Sequence, residues 1–422
     1  MTSDATAPRE AYVWTWLPGR AEPVVAGRLS RTPQGLQFNY GQSWLDREDA
    51  VPLYLPELPL ERGLLPLTAG LSMPGCLRDA APDAWGRRVI LNRLFGRAAH
   101  DSDTADLDEL SYLLRSGSDR IGALDFQASA TGYNPREGGS ASLEELLDSA
   151  SRVEKGLPLS PSLAEAIQHG TSIGGARPKA TLSGDGRRLI AKFSSSSDVL
   201  PVVKLEFIAM RLAALAGLDV APVELAQAAG KDVLLVERFD RVLHADGQWR
   251  RRGLVSALTL LGLDELGARY ASYEDLADIV RHRFEQPRQT LRELFGRLVF
   301  NILCGNTDDH ARNHAAFWDG ARLSLTPAYD ICPQARAGQE ATQAMRIIGE
   351  NRFSRLAVCV DAAPRFQLSA EEARGIIDGQ LQAVTDHWQD VCGDAGLGEA
   401  ERNALWGRQF LNPFALQGYR EA

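Results

Sequence analysis

From Leu291 to Leu303 the apolar residues Leu291, Leu294, Phe295, Leu298, Val299, Ile302 and Leu303 recur at helical spacing, with polar residues between them. That stripe calls for a helix with one face buried. Gly305 follows where a helix C-terminus favours glycine. A packed helix therefore delivers the chain directly into Asn306-Thr307-Asp308-Asp309-His310-Ala311-Arg312-Asn313, and would fix the position of that loop. The helical period dominates from about residue 254 onward, and Ser369 with Glu372 forms a capping box that opens a further helix.

Within the loop, Asp308 stands five residues before Asn313, and Ala328-Tyr329-Asp330 follows. Protein kinases use such a trio for phosphoryl transfer: one Asp takes the proton of the attacking hydroxyl, while the Asn and the second Asp hold magnesium. The spacing chooses between the adjacent aspartates. Asp309 is five residues before His314, and an imidazole suits Mg²⁺ poorly because Mg²⁺ prefers oxygen. Asp308 is thus the candidate base, with Asn313 and Asp330 the candidate metal ligands. No His-Arg precedes Asp308, and Ile331-Cys332 rather than Phe-Gly follows Asp330, so the pattern is an atypical one. His310 and His314 are four apart, but Ala311 stands where a zinc protease places its Glu. His310 is expected to orient the loop by hydrogen bonding.

Upstream, Ser172-Ile173-Gly174-Gly175-Ala176-Arg177-Pro178-Lys179 is Gly-rich and basic. Adjacent glycines let backbone N–H groups approach phosphate oxygens. Pro178 and Ala180 flank the Lys, so this is not a Walker loop, and by itself the segment would read as a surface turn. Ala180-Thr181-Leu182 and Arg188-Leu189-Ile190-Ala191-Lys192-Phe193 flank Ser183-Gly184-Asp185-Gly186, a hairpin signal. Lys192 inside an apolar strand is costly unless its ammonium is paired or reaches solvent. In kinases such a Lys contacts the α- and β-phosphates and pairs with a helix Glu. Glu206, on a helix predicted over 199–217, is the candidate partner. The strand predicted over 232–240 ends at Glu237 and Phe239, in the position of a hinge whose backbone reads an adenine edge.

The net charge of −9 and a pI near 5.4 argue against a broad basic face that binds nucleic acid unaided. The N-terminus shows no signal peptide, no apolar run is long enough to span a membrane, and five scattered cysteines show no zinc spacing. The chain reads as cytoplasmic, with reduced thiols. Residues 11–45 read as a β meander, a helical piece lies near 83–91, and loop composition over 127–141 suggests a boundary. The expected division is 1–130, a β-rich region with short helices; 131–245, a nucleotide-binding lobe; and 246–422, a helical lobe with the catalytic and metal loops.

Taken together, the Gly-rich segment, Ala191-Lys192-Phe193, Val236-Glu237-Arg238-Phe239-Asp240-Arg241, the Asn306–Asn313 loop and Pro327-Ala328-Tyr329-Asp330 resemble, in order, the HipA family of serine/threonine kinase toxins. Pro82-Asp83-Ala84-Trp85-Gly86-Arg87 and Ile121-Gly122-Ala123-Leu124 resemble the family's N-terminal region, which implies a full-length member. The resemblance implies an α+β, atypical two-lobed protein-kinase-like fold with a small N-terminal β-rich subdomain and a mostly helical C-lobe. It implies ATP and Mg²⁺ as cofactors, with Ile173, Gly174, Gly175, Ala176, Arg177, Lys179, Lys192, Glu206, Glu237 and Phe239 at the nucleotide. It implies a protein hydroxyl as acceptor, aminoacyl-tRNA synthetases being the substrates known in the family, and growth arrest as the result. It also implies a small helix-turn-helix antitoxin, HipB-like, that carries most of the operator DNA contacts, and an autophosphorylation site at Ser172. Two other readings stay open: a small-molecule kinase of the aminoglycoside or choline kind, and a co-repressor whose kinase site is vestigial.

Overall fold

A computed structural model describes residues 7–96, 107–136, 141–167, 175–184, 186–195, 198–336 and 338–419. The chain forms two compact units, Met1–Ser197 with Gln227–Val255 and Phe317–Ala321, and Asp198–Ala226 with Ser256–Ala316 and Arg322–Ala422. Most strands lie in the first unit and most of the long helices in the second, the α+β segregation expected.

The first unit opens on the predicted meander, β1 (Glu10–Thr15), β2 (Val24–Thr32) and β3 (Gly35–Tyr40), joined by β4 (Leu124–Gln127) in the antiparallel order β3-β2-β1-β4. Ala11, Val13, Leu29, Phe38 and Phe126 are completely buried. Within the loop-like 127–141 segment, the described residues 127–136 are tied to the meander. Tyr133 lies against Trp14 and Trp16 with ring centroids 5.4 and 5.5 Å away. Arg136 donates to Asp125, to the Phe126 carbonyl and to the Ser116 carbonyl. One aromatic ring and one guanidinium thus bind a stretch that has little to bury; residues 137–140 lie outside the described ones.

Asp125 is the hub of this region. Its buried carboxylate meets the equally buried Arg120 at 2.8 Å and accepts from Ser118 at 2.7 Å and Gln127 at 2.8 Å. Arg120 also donates to the carbonyls of Ala80 and Leu113. A buried ion pair holds only when its remaining hydrogen-bonding groups are met in this way.

The unit also holds β5 (Lys179–Gly184), β6 (Arg187–Phe193) and β8 (Lys231–Glu237), in the order β5-β6-β8, while most of β7 (Val223–Ala228) belongs to the second unit. The predicted hairpin is β5–β6, with Lys179 opposite Lys192. On its other side Lys192 lies opposite Leu234 of β8. The helix Ala84–Phe95 is capped by Asp83, whose carboxylate accepts from the Gly86 N–H at 2.9 Å. Its Trp85 indole donates to the Lys179 carbonyl at 3.1 Å, which joins the helix to the hairpin.

The second unit is built on the helices Val202–Leu215, Tyr273–Arg283, Pro287–Leu303 and Ala370–Asp394. Leu291, Leu294, Phe295, Leu298, Val299, Ile302 and Leu303 are all completely buried, as their period requires. The Ser369–Glu372 capping box is present.

The meander and the strands β5, β6 and β8 share one unit, and Val202–Leu215 belongs to the other. That helix is apolar nearly all round, from Val202 and Leu205 to Leu212 and Ala213. It packs along Ala370–Asp394.

Burial alone would raise the Asp125 carboxyl, but Arg120 and Arg136 outweigh burial and hold it down to about 2. A carboxyl lowered by folding gives stability that is complete above the unfolded value, about 4, and is lost as pH falls through the folded one. Thermal unfolding followed from pH 6 to pH 2 should show a midpoint falling steeply below about pH 4. In Asp125→Asn the midpoint at pH 6 should be lower and the acid slope shallower. Equal slopes would show that this carboxylate does not drive the transition.

Candidate active site

The helix Pro287–Leu303 ends at Cys304 and Gly305, and Gly305 has φ +69°. A Cβ there would lie 2.5 Å from the Gln409 carbonyl oxygen, so both conformation and space require glycine. The loop that follows is anchored at successive residues. Gly305 O accepts from the Gln334 N–H at 3.0 Å, Asn306 O from the Gln343 amide at 3.1 Å and Thr307 O from the Ala344 N–H at 3.1 Å. The buried Asn306 side chain donates to Asn301 of the helix at 3.0 Å.

The adjacent carboxylates face different surroundings. Asp308 is exposed, whereas Asp309 is 1 % exposed. Asp309 accepts from the Tyr273 hydroxyl and, at 2.8 Å, from His314 Nε2. His314 is buried, and its Nδ1 has no hydrogen-bond partner. Burial, and then the Asp309 charge, push the Tyr273 phenol well above its usual range, so it stays a donor. Ala257 N–H donates to the His314 carbonyl at 2.7 Å, fixing the far end of the loop.

The sequence reading gave the orienting role to His310. The structure gives it to His314: the His310 backbone joins the turn, but its buried Nδ1 has no hydrogen-bond partner. Asp309 and His314 repeat, one residue later, the five-residue spacing of Asp308 and Asn313. That parallel was the available signal for a structural pair beside a chemical one. Tyr273, forty residues upstream in a helix, gave none.

Asn313 closes a short turn over Ala311–Asn313, and its Nδ2 donates to the Asp308 carbonyl at 3.1 Å. With its nitrogen committed, the amide has its oxygen left for a ligand. Asp330 is reached from the other side. Arg297, buried in the helix and paired with Glu293 at 2.8 Å, donates to the Thr326 carbonyl at 2.8 Å. Ala328 is tied on both sides to residues 219–221. Tyr329 then donates through its hydroxyl to the Arg312 carbonyl at 2.7 Å, which joins the Asp330 segment to the residue before Asn313. Asp330 itself has φ +60°, a left-handed conformation that Asp tolerates better than most side chains.

An amide oxygen and a carboxylate are the hard donors that Mg²⁺ prefers, and such sites take their other ligands from phosphates and water. Among the described residues no cluster of three or more His, Cys, Asp or Glu could hold a metal alone. The Asn313 amide oxygen and the Asp330 carboxylate are donors of the kind that would suit such an ion.

In the first unit, Lys192 is half-buried on β6, and Glu237 and Phe239 are half-buried at the end of β8. In the second unit, Glu206 is 3 % exposed on Val202–Leu215. Ser172, Ile173 and Gly174 lie outside the described residues. Gly175 has φ +112°, and Ala176 beside it is exposed and Arg177 half-buried. Lys179 departs from expectation. It is 3 % exposed, its ammonium lies 3.5 Å from Asp83, and a Cβ at Gly175 would collide with it. Its charge is paired within the fold, beneath the glycine, so it supports the segment from inside.

These surroundings separate the two aspartates by measurement. Asp309→Ala leaves a buried phenol and imidazole without their acceptor and should lower stability by about 2–4 kcal/mol. Asp308→Ala, at an exposed site, should change it by less than about 0.5 kcal/mol. Denaturant unfolding of both variants checks this; equal losses would contradict the assignment.

A HipA-like C-terminal domain matches residues 171–388, and a HipA N-terminal domain matches residues 20–127. Y4mE of Sinorhizobium fredii, a protein named as a kinase, is 29% identical over 342 residues, 75% of this chain and 76% of its own length. The serine/threonine-protein kinase toxin HipA of Shewanella oneidensis is 28% identical over 184 residues, 38% of this chain and 42% of that one. A chain of the solved complex of HipA, HipB and operator DNA from Shewanella oneidensis MR-1 superposes with a TM-score of 0.66 at 19% identity. That match covers 94% of this chain and 95% of the other, and at this identity it speaks to the fold alone. With its C-terminal match alone covering more than half of its length, this chain belongs to the HipA family.

Proposed function

We propose that this chain is an ATP-dependent serine/threonine protein kinase of a toxin–antitoxin pair, working through Asp308, Asn313 and Asp330. One observation carries the reading: adjacent carboxylates are divided, Asp309 buried as an anchor and Asp308 exposed beside an Asn313 whose amide nitrogen is already committed. Exposed Asp308 would accept the proton of the acceptor hydroxyl as its oxygen attacks the γ-phosphorus of ATP and the bond to the β-phosphate oxygen breaks, releasing ADP. Asn313 and Asp330 would hold magnesium, which when bound would neutralise phosphate charge. Lys192 faces the α- and β-phosphates, with Glu206 its expected partner. The family resemblance assigns the triphosphate to the segment Ile173 to Arg177, and the backbone at Glu237 and Phe239 would read the adenine edge. Positioning and charge neutralisation are most of what phosphoryl transfer requires.

The acceptor is a protein hydroxyl, and an aminoacyl-tRNA synthetase is the substrate class that the family membership suggests. The net charge of −9 supports a partner that brings the basic surface to operator DNA, as a small helix-turn-helix antitoxin would. Among the described residues no helix is long and apolar enough to cross a membrane. A cytoplasmic location is part of the proposal, since a toxin of this kind would meet its acceptor there. Ser172, two residues before Gly174 in the sequence, is the proposed self-modification site. A phosphate there would add about −1.5 to −2 charges where the triphosphate sits and so weaken ATP binding.

Asp308→Ala should reduce phosphoryl transfer by about 10³-fold while Mg-ATP still binds. Asn313→Ala and Asp330→Ala should weaken Mg-ATP binding as well as turnover. Titration calorimetry with Mg-ATP, beside a transfer assay, checks both; near wild-type transfer by Asp308→Ala would remove it as the base.

In cells, the wild-type chain expressed without its antitoxin should arrest growth, and Asp308→Ala should relieve the arrest. Harmless expression of active enzyme would favour a small-molecule acceptor.

A further inference from the structure

The segment that ends β8 is held by a set of four charges, three of them buried and the fourth, Asp119, half-buried. Arg238 meets Asp240 at 2.9 Å and Asp119 at 2.8 Å. Arg241 meets Asp240 at 2.8 Å and Asp119 at 2.9 Å. Arg238, Asp240 and Arg241 are 4 %, 2 % and 7 % exposed. The backbone completes the set: Gly122 N–H donates to Asp240 at 2.8 Å, Arg238 donates to the Arg120 carbonyl at 2.8 Å and Arg241 to the Gly122 carbonyl at 3.0 Å. Gly122 has φ +78°, which turns its N–H and C=O into these contacts.

β8 ends at Glu237, and Phe239 and Asp240 form a turn. Arg238, Asp240 and Arg241 are buried in the cluster, while Glu237 and Phe239 stay half-buried. Four charges bound this closely leave the backbone of residues 237–239 little freedom, because moving it would separate ion pairs out of water. The partner loop, residues 119–122, precedes β4 of the meander sheet, more than a hundred residues upstream.

We infer that Asp119 of the N-terminal region is a positioning residue for adenine recognition, acting through Arg238 and Arg241 on the backbone of Glu237 to Phe239. This rests on the nucleotide-site reading above and adds a role for the N-terminal region in it. Asp119 touches no nucleotide. Its loss would leave two guanidiniums short of one carboxylate and free the hinge backbone, while the parts that hold the triphosphate stay intact.

The test is binding of Mg-ATP and Mg-GTP, measured side by side by calorimetry, to the full chain and to Asp119→Asn. GTP shares the triphosphate but presents a different base edge, so it reports the phosphate contacts alone. Wild type should prefer ATP, and Asp119→Asn should cut that preference about tenfold, through ATP, with GTP affinity nearly unchanged. An unchanged ATP/GTP ratio, whether both affinities hold or both fall together, overturns the inference and shows the cluster to be a structural clamp only. If Asp119→Asn does not fold, Arg241→Lys keeps the charge, loses the forked contact and is read by the same ratio. Failure of the wild type to bind either nucleotide is a different result: it removes the kinase reading itself, and the inference with it.

Discussion

The Asp309 carboxylate, out of water and shared between the Tyr273 hydroxyl and His314 Nε2, is the contact on which the candidate site depends. A loop of polar residues has little apolar surface with which to hold its shape. Here a buried anion with two donors replaces that surface, and an unpaired donor or acceptor would cost too much for the loop to slip. The anchored shape leaves Asp308 outward and sets Asn313 against its backbone. The same logic repeats at Arg297, which ties the helix to the Thr326 carbonyl, and at Tyr329, which ties the Asp330 segment to Arg312. Buried polar groups with their partners in place, rather than packing alone, set the positions of the three residues.

Much of this was legible in the sequence. The period from Leu291 to Leu303 predicted a helix with a buried face, and the structure buries each of those residues. Gly305 was legible because a left-handed position admits few other residues, and the β5–β6 hairpin because its turn residues are specific. Kinase spacing alone picked Asp308 over Asp309, and the exposure of the two separates them in the same sense.

What was not legible depends on contacts between residues distant in the chain. Lys179 reads as a phosphate ligand beside a Gly-rich segment, but Asp83, nearly a hundred residues away, takes its charge. The 127–141 stretch reads as a boundary because its composition is loop-like, and composition cannot show that Arg136 will reach Asp125. Arg238, Asp240 and Arg241 read as the charged end of a strand. Their burial follows from Asp119, which nothing in the local pattern marks as a partner. In each case a charge has an ordinary reading as solvated, and only the fold supplies the counter-charge that buries it.

The roles proposed for exposed Asp308 as the reacting carboxylate and buried Asp309 as the anchor predict a specific chemical outcome, which mass spectrometry of a cell lysate incubated with Mg-ATP measures most directly. The wild-type chain should place new phosphate on serine or threonine of a protein in that lysate, and the Asp308→Ala chain, folded and still able to bind Mg-ATP, should place none. New phosphoprotein appearing equally with both chains, or phosphate appearing only on small molecules, would contradict the account.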